Sequence, residues 1–579
     1  MRFGVFYEHQ LPRPWRPDDE HRVLGEALDQ VELADRVGID YVWEVEHHFL
    51  EEYSHSSAPE VFLAAASQRT SRIRLGHGIV QVPPAVNHPA RIAERIATLD
   101  LISAGRVEFG TGEASSATEL GAFGVPRGAK RAMWEETLDA VTRMFTEEPF
   151  AGWSGTYLHM PPRNVVPKPL QKPHPPLWVA CSRRHTIQLA ARSGIGALSF
   201  SFVEPEDARH WVSEYYGLLA SEECVPRGFA VNANVAVVLP MMMHKDEETA
   251  IERGIDGAHF FGFSLAHFYA STHVVGAADV WGDFVKNRSA HGFAREIIRA
   301  HRAPLAVRLL EAGVGSLRGA IGTPGQVAEL IQRYADAGVD QVIFVMQAGQ
   351  NSHEHICESL ELFGRDILPR FAEGRAEAEA AKADRLAAVV DKALARRSPP
   401  RSMSAPYPVN EDAEVAAARR PARARLRDVA GEARQSIRDS VRERVTLGAE
   451  RLVGHASDAA IERFFATAAA QRTLFGLMAR GFDPEKASGF AGSVGYELSL
   501  SDGTRHAWTI SVEGKRARVR QGEVAHAALV FRLPLVDFVK IITNVEYFYP
   551  LVLDHRMTIE GDLLVAFRLA EMFGGRSAY

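Results

Sequence analysis

Short apolar runs alternate with stretches of helical periodicity along the first 370 residues. RFGVFY at the N-terminus reads as a buried strand, and EALDQVELADRVG as a helix ending on Gly38, since glycine accepts the positive φ just past a helix end. YVWEV, RIRLGHGIVQV, RVEFG, PLWVAC, GALSF, VAVVLP and QVIFVM are further strand candidates, short and rich in Val, Ile, Leu or Phe. APEVFLAAASQRT, HPARIAERIATLDLIS and stretches beginning near Met133, Thr186, Pro205 and Thr323 read as the intervening helices. Some eight strand–helix alternations predict a parallel sheet wrapped in helices. The pattern fits an α/β fold, a (β/α)8 TIM-like barrel, with a doubly wound open sheet as the alternative. The main insertion, about residues 245–320, precedes the last strand and carries the aromatic run HFFGFSLAHFY.

Beyond residue 370 the grammar changes twice. Residues 371–455 read as a charged, helical linker, broken by SPPRSMSAPYP because proline cannot continue a helix. Its part 417–452 holds ten basic and five acidic side chains, as expected of a solvated helix; a membrane-surface or partner helix is the alternative. From 456 to 579 an amphipathic helix, IERFFATAAAQRTLFGLMARGF, precedes strands GYELSLSDG, RHAWTISVEG, RARVRQG and AALVFRL. The helices LVDFVKIIT and GDLLVAFRLAEMF complete an α+β domain, an antiparallel sheet covered by apolar helices.

Composition narrows the functional classes. At 579 residues and 46% hydrophobic, the chain has material for two to four domains with large cores. A net charge of −7 argues against general nucleic-acid affinity. Cys181, Cys224 and Cys357 are isolated, neither a disulfide framework nor a zinc pattern, which fits a reducing compartment. The N-terminus lacks the pattern of a signal peptide, and no run of about 18 uncharged apolar residues suggests a membrane span. A cytoplasmic location is expected.

In such a barrel the active site gathers at the C-terminal strand ends. Those ends carry Glu8-His9-Gln10, Glu46-His47-His48, His77 with Gln81, Thr111-Gly112-Glu113, Cys181 to His185, Ser199 with Ser201, and Met346-Gln347. One histidine there is more often structural than catalytic; the clustering is the signal. In extended chain His47 and His48 point to opposite sides. Glu46, His47 and His48 are possible metal ligands, but converging spacing such as i, i+4 is absent, so no metal site is expected. After the fifth strand, SRRHT fits an anion site: Ser182 and Thr186 can cap the helix, its free N–H groups face a phosphate, and Arg183 or Arg184 supplies a bidentate partner. An ordinary capped helix with surface arginines is the alternative.

Taken in order, MRFGVF, ADRVGIDYVWEVEHHF, RIRLGHGIVQVP, HPARIAERIATLDLISAGRVEFGTG, ELGAFGV and PHPPLWVACS resemble the bacterial luciferase-like, flavin-dependent monooxygenases over about 350 residues. The resemblance implies a barrel that binds reduced FMN from a separate NAD(P)H-dependent flavin reductase. Such an enzyme uses O2 to oxygenate an organic substrate. It makes His47 the catalytic residue, as a neutral imidazole that accepts or returns a proton. It places a non-proline cis peptide beneath the flavin at Gly78-Ile79. Where luciferase has a reactive cysteine and an arginine after the fourth strand, this chain has Gly112 and Glu113, which shifts the phosphate contact toward Arg183 or Arg184 and makes light emission a poor expectation.

The expected cofactor contacts are therefore Gly78, Ile79, Thr111, Ser182, Arg183, Arg184 and Thr186, and the expected substrate contacts His9, His48, Phe261 and Phe263. Residues 456–576 resemble a sterol carrier protein type two domain, through GYELSLSDG, HAWTISVEG, VRQG and MTIEGDLLVAFRLAEMF. That likeness implies a lipid ligand, an interaction or stability module being the alternative. The whole reads as a two-component monooxygenase acting on an apolar acyl-chain, aldehyde or terpenoid-like substrate, as a homodimer. A deazaflavin-dependent hydride transferase and a lipid carrier with an idle barrel are the other readings.

Overall fold

The computed structural model describes the chain except residues 115, 183, 200–203, 271–275, 289–318, 405, 408, 410–452, 454–455, 481, 483–491, 515, 523–526, 544–555 and 562–579 and the side chains of 270, 559 and 561. Arg183, Ser201, Phe567, Phe573 and the whole basic stretch 417–452 thus lie outside the described residues. The chain divides into two compact units, Met1–Arg420 and Pro421–Tyr579.

The first unit is a closed parallel barrel. Its strands are β1 (Arg2–Tyr7), β2 (Tyr41–Glu44), β3 (Arg74–His77), β4 (Val107–Gly112), β5 (Leu177–Cys181), β6 (Gly196–Ser199), β7 (Val235–Met243) and β8 (Gln341–Gln347). Each pairs with the next, and β8 closes on β1 with Arg2 opposite Gln341. The strands are apolar throughout because both faces are covered: all nine residues of β7 and all seven of β8 are buried. Phe3, Val5 and Tyr7 pack outward beneath the helices, and Phe6 turns inward with Trp43, Trp178 and Ile343. Trp43 and Trp178 meet edge to face at 5.4 Å, in space left by glycine. A Cβ on Gly76 would lie 2.3 Å from the Trp43 ring, and one on Gly196 2.3 Å from the Trp178 ring.

The helices that frame the mouth are α1 (Asp19–Val37), α2 (Pro59–Arg69), α3 (Pro89–Ile102), α4 (Ala117–Ala122), α5 (Lys130–Thr146), α6 (Arg184–Arg192) and α7 (Pro205–Leu219). The insertion contributes α8 (Glu247–Ala270) and α9 (Val280–Asn287), followed by α10 (Pro324–Asp336) and α11 (His353–Asp366). Phe260, Phe261 and Phe268 of α8 join the same apolar cluster as the barrel interior. Two carboxylates after β2 fasten the insertion: Glu51 accepts from the Ala277 N–H, and Glu52 from those of Val280 and Trp281.

The stretch expected to begin a linker at residue 371 is instead docked on the barrel as far as Arg401. Helix α12 (Arg375–Leu394) crosses the N-terminal strand ends, where Arg2 meets Glu379 at 2.8 Å, Arg375 meets Asp40 at 3.2 Å and Lys382 meets Asp340 at 2.7 Å. Arg401 then pairs with Glu147 at 2.9 Å. Three charges of α12, Arg375, Glu379 and Lys382, are thus matched to charges of the barrel.

The second unit holds α13 (Asp458–Phe465), α14 (Ala468–Arg480) and α15 (Leu535–Ile542) with a five-stranded sheet. Its strands are β9 (Gly492–Ser499), β10 (Arg505–Glu513), β11 (Arg516–Gln521), β12 (Leu529–Pro534) and β13 (Thr558–Gly561), in the order β11-β10-β9-β12-β13. Only β9 and β12 pair in parallel. Phe475, Trp508 and Phe538 stack at 5.0–5.1 Å in its core. Gln471, fully buried, accepts from the Trp508 indole and donates to the Phe465 carbonyl.

Candidate active site at the barrel mouth

The β2 strand ends at Glu44, and the chain leaves it as Val45-Glu46-His47-His48. The two histidine rings diverge. His48 turns to Glu46, 3.2 Å away, and packs on Phe123, whereas His47 turns into the barrel axis. Three elements meet His47 there: α4 brings Glu119, β1 brings Glu8, and α8 brings Tyr269. Nδ1 lies 3.0 Å from Glu119 Oε1, Nε2 lies 3.7 Å from Glu8 Oε2, and the Tyr269 hydroxyl is 3.1 Å from Nε2.

The two carboxylates differ in how they are held. Glu119 is fully hydrogen-bonded: Oε1 accepts from the His48 N–H at 3.0 Å and the Gln81 amide at 2.5 Å, and Oε2 from the Ser116 hydroxyl at 2.7 Å. Ser116 in turn caps α4, accepting from the Glu119 N–H. Burial opposes ionisation of Glu119, but the His47 charge and these donors prevail and hold it down at about 2. Glu8 has fewer donors. Oε1 accepts from the Tyr53 hydroxyl at 2.9 Å, and burial pushes the carboxyl up to about 7 against the pull of His47.

Burial likewise opposes charge on His47, yet Glu119 and Glu8 outweigh it and raise the ring to about 9. His47 is therefore an imidazolium at neutral pH, not the neutral ring expected from the sequence. With both nitrogens protonated, it donates from Nδ1 to Glu119 and presents Nε2–H toward Tyr269 and Glu8. Burial and the neighbouring carboxylates lift the Tyr53 and Tyr269 phenols well above their ordinary range, so both remain hydroxyl donors.

The other expected residues fall differently. His9, at φ 53, is fully buried against Phe62, with Nε2 2.8 Å from Glu44 Oε1; this positive φ carries the ring outward under α2 rather than into the mouth. The Thr111 hydroxyl is used within the wall, donating to the Trp178 carbonyl and accepting from the Trp134 indole. Phe261 packs 5.8 Å from Tyr53 beside His47, but Phe263 turns away onto Phe284 of α9. The Gly78–Ile79 peptide is trans: the four cis bonds among the described residues all precede proline, and Gly78 N–H donates to the Glu44 carbonyl at 2.7 Å.

At the phosphate end, Arg184 does not face the mouth. It forms a two-pronged pair with Glu214 of α7, at 2.7 and 2.9 Å, and its side chain is 56% exposed. Thr186 bonds the Cys181 thiol, which burial pushes up to about 12. The cations near this end come from α5. Lys130 lies 3.4 Å from Glu113 and donates to the Ala114 carbonyl, while Arg131 also contacts Glu113 and its charge reaches Cys181. Glu113, expected from the sequence only to disfavour a phosphate, thus gathers two cations at this end.

Sequence reasoning left Glu8, Tyr53, Glu119, Lys130, Arg131 and Tyr269 without roles. Glu119 sits inside the matching stretch ELGAFGV and Tyr269 inside the aromatic run, so position alone held the clue. Among the described residues no cluster of His, Cys, Asp and Glu forms a metal site, and no helix is long and apolar enough to cross a membrane.

A closed eight-stranded barrel with ionisable side chains converging at its C-terminal end is the architecture of a (β/α)8 enzyme fold. The chain belongs to the luciferase-like monooxygenases, the family model matching residues 1–341. It is 32% identical over 172 residues to the uncharacterized protein y4vJ of Sinorhizobium fredii, 30% of this chain and 48% of that one. It is 32% identical over 221 residues to limonene 1,2-monooxygenase of Rhodococcus erythropolis, covering 36% of this chain and 53% of that enzyme. The chain thus spans about half the length of these curated relatives. Among solved structures it resembles the monooxygenase RslO1 from Streptomyces bottropensis, at 27% identity and a TM-score of 0.51, covering 64% of this chain and all of that one.

Proposed function

We propose that the chain is the oxygenase component of a two-component flavin-dependent monooxygenase. It takes reduced FMN from an NAD(P)H-dependent flavin reductase and, with O2, oxygenates an apolar small molecule. The observation that carries this reading is the His47 ring, held 3.0 Å from Glu119 and turned into an enclosure walled by Tyr53, Phe261, Phe268 and Tyr269.

The donor set suits a flavin mononucleotide. Lys130, Arg131 and the N-terminal end of α6 offer positive potential for a phosphate, with Glu113 holding the two cations in place. Ile79, near Gly112 and only partly buried, offers apolar surface on the mouth side of the barrel interior. When bound, reduced flavin with O2 supplies an electrophilic oxygen atom. The protein's own residues then manage protons and water. Glu119 fixes the ring through Nδ1, so that Nε2–H is the free donor to oxygen anion developing in the mouth. The aromatic walls keep bulk water from that proton.

The second unit, as the sterol-carrier-like domain of residues 456–579, would hold a lipid or the apolar substrate and, tethered to the barrel, raise its local concentration. Its supporting feature is the apolar surface left outside the core: Phe464 is 71% and Leu477 57% exposed. The reading also places the protein in the cytoplasm as a homodimer.

Mixing the protein with reduced FMN under argon and then admitting O2 tests the barrel. Tight binding of reduced FMN and O2 uptake supports the reading. Binding of reduced deazaflavin with O2-independent turnover would mark a hydride transferase instead. For the second unit, the full chain should bind a fluorescent long-chain fatty acid, and a chain ending at Arg420 should not.

A further inference from the structure

Glu8 and Glu44 are the carboxylates of the mouth with an oxygen left over among the described residues, and that of Glu8 is the one beside His47. Glu44 is engaged by Ser56, Glu46 by Asn87 and the Gln81 N–H, and Glu119 by four donors. The carboxylate of Glu8, whose residue is 3% exposed, accepts one hydrogen bond, from Tyr53 to Oε1. Among the described residues no donor satisfies Oε2, and a buried oxygen without a donor favours the protonated carboxyl. That oxygen points at His47 Nε2 across 3.7 Å, slightly longer than a hydrogen bond; such contacts at catalytic groups tighten when the site is filled.

We propose that Glu8 is the proton reservoir of His47, returning to Nε2 the proton that the ring gives to oxygen; this rests on the monooxygenase reading above. The step balances without a further reactant. The Nε2–H bond of the imidazolium breaks as an O–H bond forms on the substrate-derived oxyanion, leaving a neutral ring. The Glu8 O–H bond then breaks, its proton bonds to Nε2, and the carboxylate left behind regains a proton from solvent at the end of the cycle. Glu119 does not exchange protons, because its donors hold it ionised; it positions the ring.

The surroundings keep Glu8 poised for that exchange. The ionisable groups facing it are His47 after β2, Glu44 at the end of β2, Tyr53 in the turn Glu51–Tyr53, and Tyr269 of α8; Glu119 lies on the far side of the ring. Burial and Glu44 favour the protonated form, whereas His47, Tyr53 and Ser54 favour the anion, and the balance falls near neutrality at about 7. A carboxyl balanced there donates and regains a proton at comparable cost.

The test is an NMR titration of the 15N-labelled histidine side chains in the full chain, with turnover measured alongside. In the unsubstituted protein His47 should show two inflections, near pH 7 from Glu8 and near pH 9 from its own deprotonation. Glu8→Gln, which keeps the size and the Tyr53 contact, should remove the lower inflection and move the upper one down. Tyr53→Phe deletes a donor to the anion and should move the lower inflection up. In turnover Glu8→Gln should cut kcat by about tenfold or more with KM and FMN affinity unchanged, and Glu8→Asp should restore part of it. A lower inflection that survives Glu8→Gln, or is missing from the unsubstituted protein, overturns the proposal even if the enzyme oxygenates normally. A protein with both inflections that turns over with no reduced flavin overturns the monooxygenase reading and leaves the proton coupling standing.

Discussion

The two ends of the barrel use charge in opposite ways. At the N-terminal end, Arg2, Asp40, Asp340, Arg375, Glu379 and Lys382 form matched pairs between barrel and α12, several with side chains more than a fifth exposed. Each charge there has its partner, and Arg2, Arg375, Glu379 and Lys382 stay near water. At the mouth His47 stands among Glu8, Glu46 and Glu119, all deeply buried, and the values spread to about 7, 9 and 2 for Glu8, His47 and Glu119. Pairing at a wet surface fastens elements together; pairing without enough donors in a dry one stores protons.

The sharpest way to break this contrast is to remove the stored proton. His47→Ala should still bind reduced FMN but lose about 10²-fold or more in oxygenation, measured as O2 uptake coupled to product. Glu119→Gln should follow closely, by about tenfold or more, and should also lower the pH at which His47 deprotonates, because it removes the largest of the favourable charges. His48→Ala, whose ring faces Glu46 and Phe123, should fall well short of both. Equal losses at 47 and 48 would erase the distinction between a ring in the axis and one in the rim.

The insertion is the next point to test, since it brings Tyr269 and Phe261 over His47. Glu52 is fully buried and accepts from the backbone N–H groups of Arg13, Val280 and Trp281. Glu52→Ala leaves those donors unsatisfied and should cost about 1–3 kcal/mol in urea unfolding. Because the loss falls on the clasp, KM for an apolar substrate should rise more than kcat falls.

How much of this was legible follows from the same contrast. The barrel itself was plain, because strands buried on both faces, such as VAVVLPMMM and QVIFVMQ, leave continuous apolar runs that few other folds require. The polar strand ends were legible for the same reason of period and place, whereas His47 stood out among them only through the family resemblance. The charge state of His47 was not, since it depends on Glu119, 72 residues away on a six-residue helix whose pattern is too short to read. Arg184 misled because a basic residue at a helix start looks alike whether it faces an anion or, as here, Glu214 on the next helix. The docking of 375–401 was hidden similarly: an Ala-, Glu- and Arg-rich helix carries no sign of whether water or a matching row of charges covers it.

Stability against pH sharpens the comparison without any substrate. His47 is raised from 6.5 to about 9 on folding, so its contribution is complete below pH 6.5 and is lost as pH rises through 9. Glu119 is lowered from 4.5 to about 2, so its contribution is present above pH 4.5 and disappears as pH falls toward 2. Urea midpoints should therefore decline between pH 6.5 and 9.5, and His47→Gln should flatten that decline. An unchanged slope in the variant would mean that His47 carries no excess proton in the folded state.

The smallest effect belongs to the other end. Lys382 reaches Asp340 at 2.7 Å and Asn234 at 2.8 Å, joining α12 to the chain entering β7 and β8. Asp340 keeps other donors when the lysine goes, the Tyr216 hydroxyl at 2.6 Å and the Val235 N–H at 2.8 Å, so no buried charge is stranded. Lys382→Ala should therefore cost about 1 kcal/mol or less, shrink further in high salt, and leave turnover and the His47 titration untouched. A loss of several kcal/mol would mean that the docked helix, rather than the closed ring of strands, holds the barrel's N-terminal end together. A shift in the His47 titration would show that the two ends are coupled through the strands, and the division of labour between fastening and proton storage would fail.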